Sequence, residues 1–145
     1  MCDWFWIISE TGYVLDVYCA GTTSGTAVVL FTLNNQLHPN NQLWKLDGEY
    51  LVSKQTGYVL SLNTCPINDP TLVIKPKDIN DKGQRWYYNP DLLTFTSGLP
   101  YYVLTAKSNT ISDPKALGLT HWIDQTARNQ KWTFAKCTGY DKEGG

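Results

Sequence analysis

The sequence predicts an all-β protein built from three similar units, and two markers with a shared period support this. The first marker is Gln-x-Trp, with its glutamine at positions 42, 84 and 130, in steps of 42 and 46 residues. The second is TGYVL at 11–15, which is repeated identically at 56–60 and followed by PYYVL at 100–104. Because two independent markers share one period, we interpret the chain as three tandem repeats.

The length of 145 residues suits one domain, residues 1–145, that is long enough to bury a core. We place the repeats at approximately 4–47, 48–90 and 91–136. The remaining tail, 138–145, is polar and glycine-rich, and we expect it to fray.

The first repeat reads as four short strands, because β-branched and aromatic residues dominate four runs that turn-forming segments separate. The turns are ETG, AGTTSG and HPNN. The predicted strands are WFWIIS (4–9), YVLDVY (13–18), TAVVLFT (26–32) and QLWKL (42–46).

The second and third repeats show the same four runs, separated by QTG, NDP, NDKG, SGLP and SDP. No helical periodicity survives between these turns. The predicted strands of the second repeat are EYLVS (49–53), YVLSL (58–62), TLVIK (71–75) and QRWYY (84–88). Those of the third are LLTFT (92–96), YYVLT (101–105), KALGLT (115–120) and QKWTF (130–134).

Twelve strands with approximate threefold symmetry predict a β-trefoil, a closed barrel capped by hairpins. A repeat of this size cannot bury its own apolar face, so the three repeats must share one core. The repeated tryptophan fits that core. The glutamine two positions earlier would lie on the same side of the strand, partly buried, with loop backbone groups as hydrogen-bond partners.

Composition argues against several classes of partner. The net charge is −1 and charged residues make up 17 % of the chain, which does not favour nucleic acid or a polybasic membrane patch. The longest apolar run is too short for a transmembrane span, and we expect no membrane insertion. We recognise no signal peptide, so we expect a cytoplasmic protein or one secreted without a conventional signal.

The four cysteines, Cys2, Cys19, Cys65 and Cys137, form no CxxC pair, and we expect no metal and no cofactor. Without a signal peptide, reduced thiols are the expectation. A bridge between Cys2 and Cys137 would require the two termini to meet.

An ordered set of residues stands out in the first repeat: Asp16 in GYVLDV, Phe31 ending VVLF, Asn34 three positions later, and Asn41 directly before Gln42. With three QxW motifs over residues 4–136, this chain resembles the ricin B-type, or R-type, β-trefoil lectins. The resemblance implies that these five residues form a sugar-binding site for a galactose-like ligand.

The chemistry of these residues suits such a ligand. A carboxylate at Asp16 accepts hydrogen bonds from neighbouring hydroxyls, and Phe31 offers an apolar face to the C–H face of a pyranose. Asn41 could donate and accept toward the same hydroxyls, and Gln42 and Asn34 would brace or extend the set. A shallow, wet site of this kind implies a Kd near ~1 mM. Taken alone, Asp16 could cap a turn and Phe31 could belong to the core.

The other repeats depart from this pattern. In the second, Ser61 stands at the Asp position, Lys75 or Pro76 at the aromatic position, and Gly83 before the glutamine, so we expect no site. In the third, Thr105 replaces the Asp. Asn129 and Gln130 persist there, and His121 and Trp122 stand near the aromatic position. We expect weak or no binding in this repeat, although Trp122 leaves sugar binding there open.

The resemblance therefore implies a lectin specific for galactose or N-acetylgalactosamine, with one competent site and with glycoprotein or glycolipid glycans as partners. A single site per chain would require self-association, such as a homodimer, to bridge cells. We expect no enzyme, because His38 and His121 lie in no catalytic arrangement and the acidic residues are scattered in turns. The alternative is a protein-interaction trefoil, such as a protease inhibitor, acting through loops 19–26, 63–71 and 106–115.

Overall fold

Within the residues that the structure describes, twelve strands in antiparallel pairs make up the fold, in the number and order that the repeats predict. The computed structural model describes residues 3–34, 39–63, 69–99 and 102–137. The predicted tail, His38 and part of the 63–71 loop lie outside these residues. The strands are β1 Phe5–Ser9, β2 Val14–Val17, β3 Val28–Phe31, β4 Trp44–Asp47, β5 Tyr50–Ser53, β6 Val59–Asn63, β7 Thr71–Lys75, β8 Trp86–Asn89, β9 Thr94–Ser97, β10 Tyr102–Ala106, β11 Leu117–His121 and β12 Trp132–Lys136. No helix within the described ranges is long and apolar enough to cross a membrane.

Six of the strands close into a barrel. β1 pairs with both β12 and β4, β4 pairs with β5, and β8 pairs with β9. Two backbone hydrogen bonds complete the ring: Trp86 N–H donates to the Glu49 carbonyl and Trp132 N–H donates to the Leu93 carbonyl, both at 2.8 Å. Glu49 immediately precedes β5 and Leu93 immediately precedes β9. Every barrel strand therefore has neighbours on both sides, as the predicted β-trefoil requires.

The other six strands form three hairpins that cap the barrel: β2–β3, β6–β7 and β10–β11. Neighbouring hairpins are joined by backbone hydrogen bonds. Ile74 N–H donates to the Thr26 carbonyl at 3.0 Å, and Ser112 N–H donates to the Leu30 carbonyl at 2.9 Å. Lys107 and Asp69 add an ion pair at 2.7 Å between the second and third repeats. Each cap hairpin therefore touches the hairpin of another repeat.

The three repeated tryptophans are buried in the core, as the sequence predicts. Each indole N–H donates to the carbonyl of the leucine that follows the repeated Tyr-Val, which satisfies the buried donor. Trp44 donates to Leu15, Trp86 to Leu60 and Trp132 to Leu104, at 3.1, 3.1 and 3.0 Å. The tryptophan thus ties the last strand of its repeat to the second strand of the same repeat.

The three repeated glutamines do not begin a strand, and that part of the prediction is wrong. Each ends a short 3₁₀ turn: Asn40–Gln42, Lys82–Gln84 and Arg128–Gln130. The turn lets a long amide reach loop backbone instead of pointing into the apolar barrel.

Each glutamine amide bridges two backbone groups at the end of the third strand of its repeat or just after it. The Nε2 atoms donate to the carbonyls of Thr32, Pro76 and His121 at 2.9, 3.0 and 2.8 Å. The Oε1 atoms accept from the N–H groups of Asn34, Asp78 and Ile123 at 2.8, 2.7 and 3.0 Å. The predicted partners, loop backbone groups, are confirmed, and the glutamines are fully rather than partly buried.

The expectation of reduced thiols is wrong for Cys137 and is confirmed for Cys19. Cys137 is disulfide-bonded and buried, and Cys19 is free and exposed. The pairing of Phe5 with Lys136, and a bond from Cys137 N–H to the Trp4 carbonyl at 3.1 Å, show that the two ends of the barrel meet. Cys2, the partner that the sequence suggests, lies outside the described residues, as does Cys65.

We predict that Gln84→Ala lowers the free energy of unfolding by about 2–4 kcal/mol, because Asp78 N–H and the Pro76 carbonyl both lose their partner. Urea unfolding followed by tryptophan fluorescence measures this. Gln125→Ala is the control: it makes the same change at an exposed position and should alter stability by less than about 0.5 kcal/mol. Equal effects of the two substitutions would contradict the bridging role.

We predict that Cys137→Ser destabilises the oxidised protein by about 2–5 kcal/mol, the usual effect of removing a native disulfide. Cys19→Ser should leave stability nearly unchanged, because that thiol is free and exposed. Urea midpoints measured with and without reductant check both. A wild-type midpoint that does not respond to reductant would refute the prediction.

Candidate functional site

A cavity of about 270 Å³ opens on the first repeat, at the end of the β2–β3 hairpin. It lies just below the ~300–1,000 Å³ typical of drug-sized ligands, so it suits a small molecule or a single ring. Three of the five predicted site residues line it. The lining residues are Asp16, Tyr18, Cys19, Ala20, Phe31, Asn41 and Ser112.

The hairpin register brings Asp16 and Phe31 to the same cavity. Asp16 pairs with Val29, so Phe31, two residues further along β3, lies on the same face and diagonally across the hairpin. Asp16 is 7 % exposed and Phe31 is 39 % exposed. The alternative in which Phe31 is a core residue is therefore wrong, because the ring ends β3 at the surface while the preceding residues of the strand are buried.

Two neutral side-chain amides donate hydrogen bonds to the Asp16 carboxylate. Gln42 Nε2 donates to Oδ2 at 2.9 Å, and Asn41 Nδ2 donates to Oδ1 at 3.3 Å. A carboxylate has about four acceptor positions, and these two bonds occupy two of them. Both oxygens are thus oriented by the protein and still able to accept from a ligand.

Burial raises the pKa of Asp16 from 3.8 to about 6. The hydrogen bonds from Gln42 and Asn41 act in the opposite direction, because they stabilise the ionised form, but they do not offset the loss of hydration. The carboxylate therefore carries a desolvated charge at neutral pH, and a hydrogen-bond donor that enters the cavity would stabilise it.

Asn41 offers the cavity an acceptor, whereas its amide nitrogen makes contacts within the protein. Its Nδ2 group donates to Asp16 Oδ1 and to the Val17 carbonyl, both at 3.3 Å. These two bonds engage both amide hydrogens, which leaves Oδ1 for the cavity. Together with Asp16, Asn41 makes the floor of the cavity a surface of acceptors.

Gln42 and Asn34 contribute from outside the lining. Gln42 is buried and links Asp16 to the backbone at Thr32 and Asn34. Asn34 takes part through its backbone N–H. Gln42 is therefore a positioning residue: it orients the carboxylate and fixes the chain that leaves β3.

The structure adds lining residues that the sequence interpretation did not include. Tyr18, half-exposed, stands two residues after Asp16, and that spacing could have identified it. Cys19 and Ala20 line the same side with φ of 51° and 53°, a left-handed turn in which non-glycine residues are uncommon. Ser112 comes from the third repeat, and no pattern within the first repeat could indicate it.

The second repeat has none of this chemistry. Its hairpin pairs Val59 with Lys75, as the first repeat pairs Val14 with Phe31, so Lys75 rather than Pro76 occupies the aromatic position. Ser61, at the Asp position, is fully buried, and Gly83 has no amide side chain.

In the third repeat, two hydroxyls replace the carboxylate and the ring. Val103 pairs with Thr120, so the aromatic position is Thr120, and Trp122 lies two residues beyond it. Thr120 Oγ1 lies 2.7 Å from Thr105 Oγ1 and accepts from Gln130 Nε2 at 2.8 Å. These polar groups satisfy one another's hydrogen bonds. The third repeat therefore has no carboxylate in the place where the first repeat has Asp16.

Asn129 repeats one structural contact of Asn41. Its Nδ2 group donates to the Ala106 carbonyl at 3.2 Å, as that of Asn41 donates to the carbonyl of Val17. The asparagine before the glutamine therefore has a structural role in both repeats. In the first repeat its amide also donates to Asp16. Among the described residues, no group of three or more His, Cys, Asp or Glu side chains could hold a metal ion.

Comparison with solved structures places the chain among β-trefoils. The C-half of an earthworm R-type lectin, in complex with GalNAc, superposes with a TM-score of 0.70 at 22 % identity, covering 92 % of this chain and 98 % of that one. The mdaA-1 domain gives a TM-score of 0.73 at 26 % identity over 91 % and 88 %. The designed threefold-symmetric protein ThreeFoil gives 0.72 at 18 % over 92 % and 98 %.

No protein-family model matches the sequence, and no curated protein matches it either. R-type lectins are nonetheless among the structural neighbours, as the sequence resemblance predicts. At identities this low, the likeness establishes the β-trefoil fold.

We predict that Asp16→Asn becomes more stable relative to the wild type as pH rises from about 4 to about 7. The folded-state pKa of about 6 exceeds the ordinary value of 3.8, so the folded protein binds this proton more tightly than the unfolded chain does. The contribution of Asp16 to stability is therefore greatest below about pH 4 and is lost as pH rises through about 6.

The expected change in the stability difference is on the order of 2–3 kcal/mol, measured by urea unfolding of both proteins across this pH range. The comparison with Asp16→Asn cancels the titration of the other carboxylates. A difference that does not change with pH would mean that the Asp16 pKa is not raised.

Proposed function

We propose that the protein is a carbohydrate-binding lectin whose single competent site, in the first repeat, binds galactose or N-acetylgalactosamine. The observation that carries the proposal is the cavity lined by both a buried carboxylate, Asp16, and an exposed aromatic ring, Phe31. A sugar has hydroxyl donors on one edge and an apolar C–H face, and this pair offers a counterpart to each.

The hydrogen-bonding character of the site favours hydroxyl groups over other polar ligands. The open positions of Asp16 and the Oδ1 atom of Asn41 are acceptors, because the amide hydrogens of Asn41 are engaged within the protein. An anion would be repelled by this floor, whereas neighbouring sugar hydroxyls can donate to both side chains. Hydrogen bonds to a charged acceptor are also the stronger kind.

The charge state of Asp16 supports binding near neutral pH. With a pKa of about 6, the carboxyl is ionised in roughly nine of ten molecules at pH 7. The ionised form accepts at both oxygens, whereas protonation would turn one of them into a donor.

The residues that line the cavity favour sugar binding over sugar hydrolysis. Glycoside hydrolysis generally uses two carboxyl groups on either side of the scissile bond. Of the described residues that line this cavity, Asp16 is the sole carboxylate. We therefore propose a lectin rather than a glycosidase.

The number of sites has a consequence for partners. Ser61 and Thr105 stand where Asp16 stands in the first repeat, so we propose one site per chain. Bridging two glycoproteins or glycolipids would then require self-association, for example as a homodimer. The earthworm lectin half, solved with GalNAc, shows that a closely similar fold accommodates this sugar, which supports the choice of ligand class.

We predict that the wild type binds lactose with a Kd near ~1 mM, and that Asp16→Asn weakens binding at least about tenfold because a charged acceptor is lost. Phe31→Ala should also weaken binding, since it removes the apolar face. Trp122→Ala is the matched control: it deletes an exposed ring that does not line the cavity, and it should leave affinity unchanged. Titration calorimetry or NMR measures all four proteins.

A second readout uses the free thiol in the cavity. Cys19 is exposed, so iodoacetamide should alkylate it, and bound sugar should slow that reaction in the wild type but not in Asp16→Asn. Mass spectrometry of the peptide that contains Cys19 follows the rate. Absence of galactoside binding by the wild type, or equal binding by Asp16→Asn, would refute the proposed function.

A further inference from the structure

One wall of the first-repeat cavity comes from a different repeat. Ser112, which lines the cavity, lies in the loop between β10 and β11, about eighty residues beyond Phe31 in the chain. The site is therefore built across a repeat boundary. The second wall, the turn formed by Tyr18, Cys19 and Ala20, belongs to the first repeat itself.

The β10–β11 loop is held against the strand that carries the ring. Ser112 N–H donates to the Leu30 carbonyl at 2.9 Å, one residue before Phe31. Ser112 also adopts φ of 62°, a left-handed conformation that non-glycine residues rarely take unless their surroundings hold them. The Asp113 side chain accepts from Lys115 N–H at 2.9 Å and orders the next turn. The position of this wall is thus set by contacts within the protein.

The outer part of the same loop is exposed and rich in hydroxyl and amide groups. Ser108, Asn109 and Thr110 are all exposed. Ser108 Oγ donates to Thr110 Oγ1 at 3.3 Å, and both hydroxyls remain accessible to solvent. These groups can both donate and accept, in contrast to the acceptor-only floor formed by Asp16 and Asn41.

We propose that the β10–β11 loop, residues 107–113, forms a second subsite for the sugar linked to the one held over Phe31. The preferred ligand is then a disaccharide or a longer glycan rather than a free monosaccharide. This inference rests on the proposed function. Ser112 contacts the ligand where the two sugars join, and the hydroxyls of Ser108 and Thr110 bind the second ring.

The size of the cavity is consistent with one sugar inside it and a linked sugar outside it. A volume of about 270 Å³ holds a single ring, so a linked sugar has to leave the cavity along one of its walls. On the third-repeat side, the hydroxyls of Ser108 and Thr110 can make hydrogen bonds without large desolvation, because these side chains are already exposed. A shallow first site gains most from such contacts, since each hydrogen bond strengthens binding several-fold.

The test compares methyl β-galactoside with lactose by calorimetry at neutral pH. The wild type should bind lactose about three- to tenfold more tightly, the gain expected from one or two hydrogen bonds. The variant Ser108→Ala/Thr110→Ala should lose this gain and bind methyl β-galactoside within about twofold of the wild type, because neither residue lines the cavity.

Two controls keep the outcomes separate. Thr23→Ala removes an exposed hydroxyl from the β2–β3 loop, outside the cavity lining, and should keep the lactose preference. Lactose preference retained in the loop variant would overturn the second subsite alone. Absence of wild-type binding to either ligand would overturn the proposed function and this inference together.

Discussion

The buried glutamine amide that ends each 3₁₀ turn is the interaction on which the rest of the structure depends. It pairs one carbonyl and one N–H of the segment after the third strand, groups that could not otherwise be satisfied away from water. The tryptophan two residues later then ties the last strand to the second through its indole N–H. Backbone satisfaction and core burial are thus achieved by one short motif, three times over, and threefold symmetry follows.

The candidate site is a modification of this device in one repeat. In the first repeat the glutamine Nε2 also donates to Asp16, and in the third it donates to Thr120. The threonine arrangement is internally satisfied and neutral, whereas Asp16 is a buried charge with a raised pKa. The first repeat therefore gives up stability at neutral pH for a carboxylate that can accept bonds from a ligand, a trade typical of functional sites.

How far the site could be predicted depends on where each residue lies. Asp16 and Phe31 could be named in advance because the family resemblance implies them, and the hairpin register in the structure then puts them on one face. The internal contacts of Asn41 could not be predicted, since no sequence pattern shows that a backbone carbonyl competes for its amide hydrogens. Ser112 was missed because it reaches the cavity only through the packing of one cap hairpin on another.

The sequence by itself determined the number of repeats, the type and order of the strands, and the tryptophan core, because periodicity and burial act on residues close together in the chain. The tertiary structure alone decided the placement of the glutamines in turns, the exposure of Phe31 and the disulfide at Cys137. It alone showed that Thr120, not Trp122, occupies the aromatic position of the third repeat. These features depend on contacts between distant segments, whose geometry exists only once the barrel has closed.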